Sequence, residues 1–255
     1  MKLHQSLVLK NLAMFNELDT TSTTIKNPVK HLMRGLTDMF LIWKTVEYFQ
    51  PKKILEIGVY AGQTLGLMYE ASGADSNITS IDIKFNKLDV FNYLFPDANI
   101  NFIKSDSIKI EPFDKFDFIH IDGYHSYEYA MNDIVKSLEM SHTNTIISID
   151  DYEKSKLGVK TAIDTGILEK NDFIPFLLGD SSIFFHHASH RADEFIDHWI
   201  QEDANNFIHF SNINFGQHLV LRPHFISQYI LTSRMPGIFE RNLKFLLEAS
   251  EFYNL

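Results

Sequence analysis

A short apolar strand, a turn that contains two glycines and the start of a helix occupy residues 53–65, KILEIGVYAGQTL. The apolar run has the near-continuous character of a strand that is buried on both faces of a parallel sheet. Gly58 and Gly62 allow the backbone to turn sharply and to approach a ligand closely. This stretch therefore predicts the nucleotide-binding turn of a doubly wound α/β domain.

The glycine spacing restricts the kind of ligand. A dinucleotide loop would read GxGxxG and a phosphate loop would end in Gly-Lys-Ser/Thr, but Tyr60 interrupts the glycines and no lysine follows Gly62. The pattern is E-x-G-x-Y-x-G-x-T, from Glu56 to Thr64. It resembles motif I of class I S-adenosylmethionine-dependent methyltransferases, in the variant of catechol-type and related metal-dependent O-methyltransferases. The resemblance implies that S-adenosylmethionine is held by Glu56, Gly58, Tyr60, Gly62 and Thr64. A strand followed by GxxxG also occurs in other αβ turns.

The rest of the chain fits the same fold class. Strand and helix patterns alternate over residues 51–188, which is typical of a parallel sheet with helices on both faces. Two apolar runs, 172–178 and 181–187, predict a hairpin that a plain Rossmann dehydrogenase would not need. The resemblance, which covers about residues 30–188, implies a Rossmann-like α/β methyltransferase fold. Its mostly parallel, seven-stranded sheet has the order 3-2-1-4-5-7-6, and the hairpin supplies its last two strands.

Three segments follow from this interpretation. Residues 1–50 form an N-terminal helical segment, residues 51–188 form the methyltransferase core, and residues 189–255 form a C-terminal helical extension that serves as a lid or an interface. Within the extension, helices are expected near 191–204 and 237–252, with an aromatic loop region at 207–229 between them. The helix before the first strand either packs beside the sheet or lines the cofactor pocket through residues 33–37.

Polar residues after the second and third strands are candidates for cofactor binding. Asp82 ends the second strand, where an acid in nucleotide-binding α/β domains accepts hydrogen bonds from the ribose hydroxyls. The third strand ends in Ser105 and Asp106, and the resemblance implies that such residues bind the adenine. Both places also suit residues that only cap a turn.

Acids follow the fourth and fifth strands. Asp122 ends the fourth strand within FDFIHIDGYHSYEY, and Asp150 and Asp151 end the fifth. Adjacent strands are about 4.8 Å apart, so these carboxylates are expected to converge and to raise one another's pKa. A divalent cation would resolve the repulsion, and oxygen ligands suit magnesium, manganese or calcium. The resemblance implies Mg²⁺ held by Asp122, Asp150 and Asp151. Alternatively, Asp151 caps the next helix and no metal binds.

Histidines supply the remaining candidate chemistry. The sequence Asp-Gly-x-His, from Asp122 to His125, looks like a motif of sugar and macrolide O-methyltransferases. An imidazole there can accept the acceptor's hydroxyl proton, so His125 and Asp122 are the predicted catalytic residues. Alternatively, His125 caps a helix or contacts the cofactor. His120 is predicted to be a core residue. A metal site at His186 and His190 is a weaker alternative.

Bulk properties exclude several classes of protein. With 23 basic and 33 acidic residues, the net charge of −10 argues against a nucleic acid partner. The chain has no cysteine, so disulfides and thiolate metal sites are excluded. No apolar run is long enough to span a bilayer, so no membrane partner is expected. We expect a cytoplasmic protein that can form a homo-oligomer.

The sequence thus predicts an S-adenosylmethionine-dependent O-methyltransferase, assisted by magnesium, that acts on a hydroxyl of a small molecule or sugar. Two alternatives stay open. One is a metal-independent N- or O-methyltransferase, and the other is a cofactor-binding partner protein without catalytic activity.

Overall fold

The computed structural model describes residues 28–73, 75–88, 91–92, 95–152, 157–168, 172–189, 192–203, 208–215 and 218–225. Helices and strands alternate along most of this length. The α-helices are α1 (Pro28–Phe49), α2 (Gln63–Ser72), α3 (Tyr127–Glu139), α4 (Leu157–Gly166) and α5 (Asp193–Asp203). The strands are β1 (Lys53–Ile57), β2 (Asn77–Asp82), β3 (Ile100–Lys104), β4 (Phe118–Ile121), β5 (Ile146–Ile149), β6 (Phe173–Leu178), β7 (Ile183–His187), β8 (Ile208–Phe215) and β9 (His218–Phe225).

The nine strands within the described residues form one sheet, in the order β3-β2-β1-β4-β5-β7-β6-β9-β8. Strands β1 to β5 pair in parallel with their neighbours, whereas β7 runs antiparallel to both β5 and β6. The predicted order 3-2-1-4-5-7-6 is therefore confirmed, including the antiparallel hairpin. The sheet is a Rossmann-like methyltransferase sheet with two more strands at one edge.

Those two strands differ from the expectation for the C-terminal segment. Residues 208–225 form an antiparallel hairpin that joins the sheet through Leu221, which pairs with Leu177 of β6. The sequence analysis expected a loop region there, in a helical extension. The edge of β6 offers free backbone groups that another strand can pair with, a tertiary opportunity that the local pattern does not reveal. The helix expected near 237–252 and residues 1–27 lie outside the described part of the chain.

The central strands are buried on both faces, as their apolar runs predict. Ile54 and Phe118 point into a core shared with α1, α2 and α5, where the largest buried side chain is Trp199. The next residues along the same strands, Leu55 and Ile119, point into a second core shared with α3 and α4. Side chains alternate between faces along a strand, so each central strand contributes to both cores.

Helix ends follow the residues that favour them. The Oγ atom of Ser126 accepts a hydrogen bond from the backbone N–H of Tyr129 and so caps α3. Gly73 follows α2 with a positive φ of 75°. Among the described helices, none combines the length and apolar character that a membrane span requires.

Candidate active site

The turn after β1 holds a backbone conformation that only glycine adopts easily. Gly58 has a φ of +87°, and its N–H donates to the carbonyl oxygen of Ile81 at 2.9 Å. A Cβ atom at this position would overlap the carbonyl oxygen of Asp122. The turn after β1 therefore packs directly against the loop after β4. Gly62, the second glycine, caps the N-terminus of α2 with a φ of +77°.

The carboxylate of Asp82 organises this turn. Its Oδ2 atom accepts hydrogen bonds from the backbone N–H groups of Val59 at 2.8 Å and Tyr60 at 3.0 Å. Its Oδ1 atom accepts from the N–H of Lys84 at 2.9 Å. Each carboxylate oxygen has two lone pairs, so Asp82 retains acceptor capacity for a ligand hydroxyl. The acid thus connects the end of β2 to the glycine turn.

A crevice of about 590 Å³ opens beyond the carboxyl ends of β1, β2, β3 and β4. This volume is within the range of small-molecule sites, and the position matches the ligand crevice of open α/β sheets. The predicted cofactor residues that line it are Gly58, Tyr60, Asp82, Ser105 and Asp106. Asp122, the predicted catalytic acid, lines it as well.

The other predicted cofactor residues lie behind the crevice wall. Glu56 is only 1% exposed and accepts a hydrogen bond from Ser80 Oγ at 3.1 Å. Burial raises the pKa of Glu56 well above its usual range. Gly62 and Thr64 are absent from the crevice lining, because Gly62 caps α2 and Thr64 lies in the first turn of that helix. Direct cofactor contact by these three residues stays a prediction. The side chains of residues 33–37, the other candidate lining, lie outside the described part.

Sequence reasoning did not name several residues of the crevice. Tyr124 and Tyr129 pack edge to face with ring centroids 5.2 Å apart, and the Tyr129 hydroxyl lies 3.4 Å from Asp106 Oδ2. On the opposite side, the Lys87 ammonium lies 3.9 Å from the Tyr60 ring centroid and 2.7 Å from its hydroxyl oxygen. The sequence signal for Tyr124 and Tyr129 was the tyrosine-rich segment DGYHSYEY, which follows the predicted fourth strand. Lys87 had no comparable signal, because its position depends on the path of the backbone after β2.

Within the described residues, one group of side chains could hold a metal ion. Ligand atoms of Asp122, His125 and Asp151 all lie within 4.8 Å of one another. The His125 Nδ1 atom lies 3.0 Å from Asp151 Oδ2, and the Nε2 atom lies 3.7 Å from Asp122 Oδ1. Asp122 belongs both to this group and to the crevice lining, so the group adjoins the crevice.

Asp150 was expected beside these acids, but the structure gives its carboxylate other partners. Its Oδ1 atom accepts hydrogen bonds from Ser181 Oγ at 2.8 Å and Ser182 Oγ at 2.7 Å. Asp151, the next residue, has a left-handed φ of +61°. The direction of the two side chains depends on this local backbone geometry, which strand periodicity does not give. His125, which the sequence analysis predicted as the base, joins Asp122 and Asp151 in the group, and metal binding by Asp150 stays a prediction.

Electrostatics couple the three members of the group. Asp122, followed by Asp151, raises the pKa of His125 to about 10, so its imidazole is protonated at neutral pH when no ion is bound. Burial among protein atoms at the base of the crevice raises the pKa of Asp122 to about 6, although its side chain is 39% exposed through the opening. For Asp122, loss of hydration thus outweighs the pairing with His125, whereas for His125, whose side chain is equally exposed, the pairing with the two carboxylates outweighs it.

The other histidines have structural surroundings. His120 is 1% exposed, its Nδ1 atom lies 3.3 Å from Ser148 Oγ, and burial lowers its pKa to about 4. It is the core residue that the sequence predicts. The Nδ1 atom of His186 lies 2.8 Å from the carbonyl oxygen of His187. His190, the other half of the weaker metal alternative, lies outside the described residues.

Comparisons with known proteins agree with this geometry. The model of a family described as a methyltransferase domain matches residues 55–152. This range includes the glycine turn and the acids Asp122, Asp150 and Asp151. The calicheamicin methyltransferase CalS11 is similar in fold, with 14% identity, a TM-score of 0.50, and coverage of 70% of this chain and 91% of that one. No curated protein matches the sequence.

Two solved structures with bound S-adenosylhomocysteine have slightly lower scores. A Podospora anserina methyltransferase has 16% identity, a TM-score of 0.48, and coverage of 71% of this chain and 95% of that one. An O-methyltransferase from Bacillus cereus has 13% identity, a TM-score of 0.48, and coverage of 70% and 90%.

The sheet order and the glycine turn with its crevice give the Rossmann-like methyltransferase fold that the sequence resemblance implied. Within this fold, residues 55–152 match the model of a methyltransferase domain.

Proposed function

We propose that the protein transfers a methyl group to a hydroxyl oxygen of a small molecule or sugar, with the help of a divalent cation held by Asp122, His125 and Asp151. The observation that carries this proposal is the convergence of these three side chains within 4.8 Å beside the crevice. Two carboxylates at this separation need a counter-charge. A cation placed there would also contact an acceptor at the crevice edge.

The donor set supports a particular kind of cation. It contains two carboxylate oxygens and one imidazole nitrogen. The sequence analysis expected carboxylates alone, which suit magnesium, manganese or calcium, and the resemblance implied magnesium. Carboxylates suit Mg²⁺, Ca²⁺ and Mn²⁺, and imidazole suits the transition metals. Mn²⁺ is compatible with both kinds of donor, so it is the ion that we propose, with Mg²⁺ as the second choice.

The crevice residues fit the proposed cofactor. Asp82 Oδ1 has one lone pair free for a ribose hydroxyl, and Ser105 and Asp106 offer a hydroxyl and a carboxylate to an adenine edge. Gly58 and Tyr60 form the wall between them. S-adenosylmethionine supplies an electrophilic methyl group on a sulfonium, so the protein's main task is to orient an acceptor oxygen toward that carbon.

Asp122 is the best placed residue to receive the acceptor's proton. It faces the crevice, and with a pKa of about 6 it is mainly ionised at neutral pH. His125, the base that the sequence favours, is protonated at neutral pH beside two carboxylates, and as a metal ligand it would use a ring nitrogen for the ion. A divalent cation, when bound, lowers the pKa of a hydroxyl that it contacts. The base role of His125 therefore requires a free, neutral ring nitrogen.

One observation favours a second candidate, a methyltransferase that needs no metal. The His125 imidazolium lies near both carboxylates and already supplies a counter-charge to Asp122 and Asp151. In this case the acceptor could carry either a hydroxyl or an amine. A cofactor-binding protein without turnover is the remaining alternative.

A methyl-transfer assay with chelated protein distinguishes these candidates. Protein treated with a chelator is supplied with methyl-labelled S-adenosylmethionine and a library of hydroxylated and amine acceptors, without metal, with Mn²⁺ or with Mg²⁺. Turnover of a hydroxylated acceptor that depends on Mn²⁺ or Mg²⁺ supports the proposal. Equal turnover without metal supports the second candidate, and cofactor binding without any turnover supports the third.

Variants then assign the ligands. We expect Asp122→Asn and Asp151→Asn to abolish metal-dependent turnover while S-adenosylhomocysteine affinity changes little. Asp180→Asn, an exposed acid in the turn between β6 and β7, is the matched control and should behave like the wild type. Equal losses of turnover and cofactor affinity in the Asp122 and Asp151 variants would argue against a metal role.

A further inference from the structure

The turn between β6 and β7 contains two adjacent serines that hold the residues on either side of Asp151. We call Ser181 and Ser182 the double-serine turn. Both serine hydroxyls donate to Asp150 Oδ1, at 2.8 Å and 2.7 Å. The carbonyl oxygen of Ser181 accepts from the backbone N–H of Tyr152 at 2.7 Å. The two neighbours of Asp151 are therefore fixed to one turn.

Asp151 itself has a backbone conformation that needs such support. Its φ of +61° is in the left-handed region, which is unfavourable for residues with a Cβ atom, although aspartate tolerates it better than most. Such conformations persist where surrounding contacts determine them, and they are found often at functional sites. Here the double-serine turn supplies contacts on both sides of Asp151, and the N–H of Asp150 also donates to the carbonyl oxygen of Ile121 at 2.9 Å.

Asp38 of α1 fixes the double-serine turn in its place. Its carboxylate accepts hydrogen bonds from the backbone N–H groups of Ser181 at 3.2 Å and Ser182 at 3.0 Å. Its Oδ2 atom also lies 2.8 Å from Ser181 Oγ. Asp38 is 5% exposed and both serines are 0% exposed, so water does not compete for these bonds. A side chain at Gly179 would overlap Asp38 Oδ1, which shows how closely the turn encloses the acid.

The contacts form a continuous chain from α1 to the candidate metal group. Asp38 holds the double-serine turn, the turn holds Asp150 and Tyr152, and the residue between these two places its Oδ2 atom 3.0 Å from His125 Nδ1. No member of the chain before Asp151 is a ligand in the group of Asp122, His125 and Asp151.

We infer that Asp38 and the double-serine turn are positioning residues that keep Asp151 in its left-handed conformation, with its carboxylate directed at His125. The inference rests on the proposed function, because it assigns these residues a purpose in holding the cation ligand. Loss of these hydrogen bonds would leave Asp151 free to return to an ordinary backbone conformation, so the ligand atoms would no longer converge.

The test compares variants that remove hydrogen bonds between Asp38, the double-serine turn and Asp150 with a variant that preserves them. Asp38→Ala removes the acceptor of both backbone N–H groups, and Ser182→Ala removes one hydroxyl from Asp150. Asp38→Asn keeps an acceptor oxygen for the backbone, and its amide can donate to Ser181 Oγ, which then donates to Asp150. Asp180→Ala changes an exposed residue of the same turn and serves as the control.

Mn²⁺ affinity is measured by calorimetry without cofactor or acceptor. Loss of groups that orient metal ligands commonly weakens affinity, so we expect a decrease of about tenfold or more in Asp38→Ala and Ser182→Ala. Asp38→Asn and Asp180→Ala should stay near the wild-type value. S-adenosylhomocysteine affinity should be unchanged in all four, because the chain does not reach the crevice residues of β1, β2 and β3.

A spectroscopic measurement on ion-free protein separates failure of this inference from failure of the proposed function. The Cε1–Hε1 NMR signal of His125, assigned by its loss in His125→Gln, is recorded at one fixed pH. It should move in Asp38→Ala and Ser182→Ala and stay in place in Asp38→Asn and Asp180→Ala. If the wild type binds no Mn²⁺, the metal part of the proposed function fails, and this signal alone decides the positioning role.

The inference would be overturned if the His125 signal stays unchanged in Ser182→Ala. If the wild type binds Mn²⁺, the Mn²⁺ affinity of Ser182→Ala must also equal that of the wild type for this conclusion. Equal disturbance by Asp38→Asn and Asp38→Ala would overturn it too, because the conservative variant preserves the bonds. If Asp38→Ala does not fold, Ser182→Ala gives the decision, since it removes a single hydroxyl and leaves the backbone contacts of the turn intact.

Discussion

The Nδ1 atom of His125 lies 3.0 Å from the Oδ2 atom of Asp151, although the two residues follow different strands of the sheet. This contact connects the loop after β4 to the end of β5. At neutral pH without an ion, the imidazole is protonated, because Asp122 and Asp151 raise its pKa to about 10. A proton and a divalent cation would therefore compete for the same place between the carboxylates.

Proton release on metal binding tests this competition. A ligating imidazole must be neutral, so Mn²⁺ binding at about pH 7.5 should release about one proton from His125. Calorimetry in buffers of different ionisation enthalpy measures that number. His125→Gln should bind Mn²⁺ more weakly and release almost none. Mn²⁺ binding to the wild type without proton release would mean that His125 is not a ligand.

The stability of Asp38→Asn should differ from that of the wild type in a pH-dependent manner. Burial, followed by the charge of Asp150, raises the pKa of Asp38 from 3.8 to about 6. An acid whose pKa is higher in the folded protein than in the unfolded chain contributes fully to stability at pH values below its unfolded-state pKa. This contribution is lost as the pH rises through its folded-state pKa. Asparagine has no such titration. The free energy of unfolding of Asp38→Asn, relative to that of the wild type, should therefore increase by about 2 kcal/mol as the pH rises from about 4 to about 7.5.

Urea unfolding of both proteins across this pH range provides the measurement. Titrations of distant acids affect both proteins alike, so the difference between the two curves reports Asp38 together with its electrostatic coupling to Asp150. Curves that stay parallel from acid to neutral pH would mean that Asp38 has an ordinary pKa in the folded protein.

Replacement of Gly58 by alanine should disrupt the turn that carries the cofactor crevice. Positive φ costs an L-residue about 1–2 kcal/mol, and a Cβ atom here would also overlap the carbonyl oxygen of Asp122. We expect Gly58→Ala to lose about 3 kcal/mol or more beyond the φ cost, together with S-adenosylhomocysteine binding.

Gly73→Ala is the matched control for this prediction. Gly73 has a similar φ of +75°, but nothing lies within 4 Å of the Cβ position. Its variant should lose the cost of this backbone conformation, with φ 75° and ψ 174°, without any steric overlap, and should bind S-adenosylhomocysteine normally. Urea unfolding and calorimetry give both values, and similar losses of stability in the two variants would contradict the close packing between the turn and the loop after β4.

Asp82→Ala should weaken cofactor binding through the turn as well as through direct contact. The variant removes the acceptor for the N–H groups of Val59 and Tyr60. Hydrogen bonds to a charged group contribute about 1.5–3 kcal/mol, which corresponds to a decrease in S-adenosylhomocysteine affinity of about tenfold or more. Asp97→Ala removes the same charge from an exposed position outside the crevice and should bind normally. Unchanged affinity in Asp82→Ala would exclude Asp82 from the cofactor site.

The sequence predicted the central part of the fold well because local patterns carry it. Buried parallel strands require continuous apolar runs, and the turn after β1 requires glycine at a positive φ. The edge hairpin of β8 and β9 was not predicted, since its pairing with β6 depends on a long-range contact at Leu221 and Leu177.

The candidate site was predicted in part for the same reason. Asp122 was expected at the carboxyl end of β4, because the strand order places it beside the end of β5, and it contacts the crevice there. The sequence analysis predicted both Asp150 and Asp151 as metal ligands, whereas the structure groups a ligand atom of Asp151 with those of Asp122 and His125. The different directions of the two acids depend on the left-handed backbone of Asp151 and on two serines about thirty residues further along the chain.

By itself, the sequence determined the central strands, the glycine turn and the ends of the strands where acids would be placed, because strand periodicity and glycine conformation are local properties. The strand order came from the resemblance to a known family. Only the tertiary structure decided which side chains meet there: His125 with Asp122 and Asp151, and Asp150 with the double-serine turn. The physical reason is that side-chain direction at a strand end depends on backbone torsions fixed by partners that are distant in sequence.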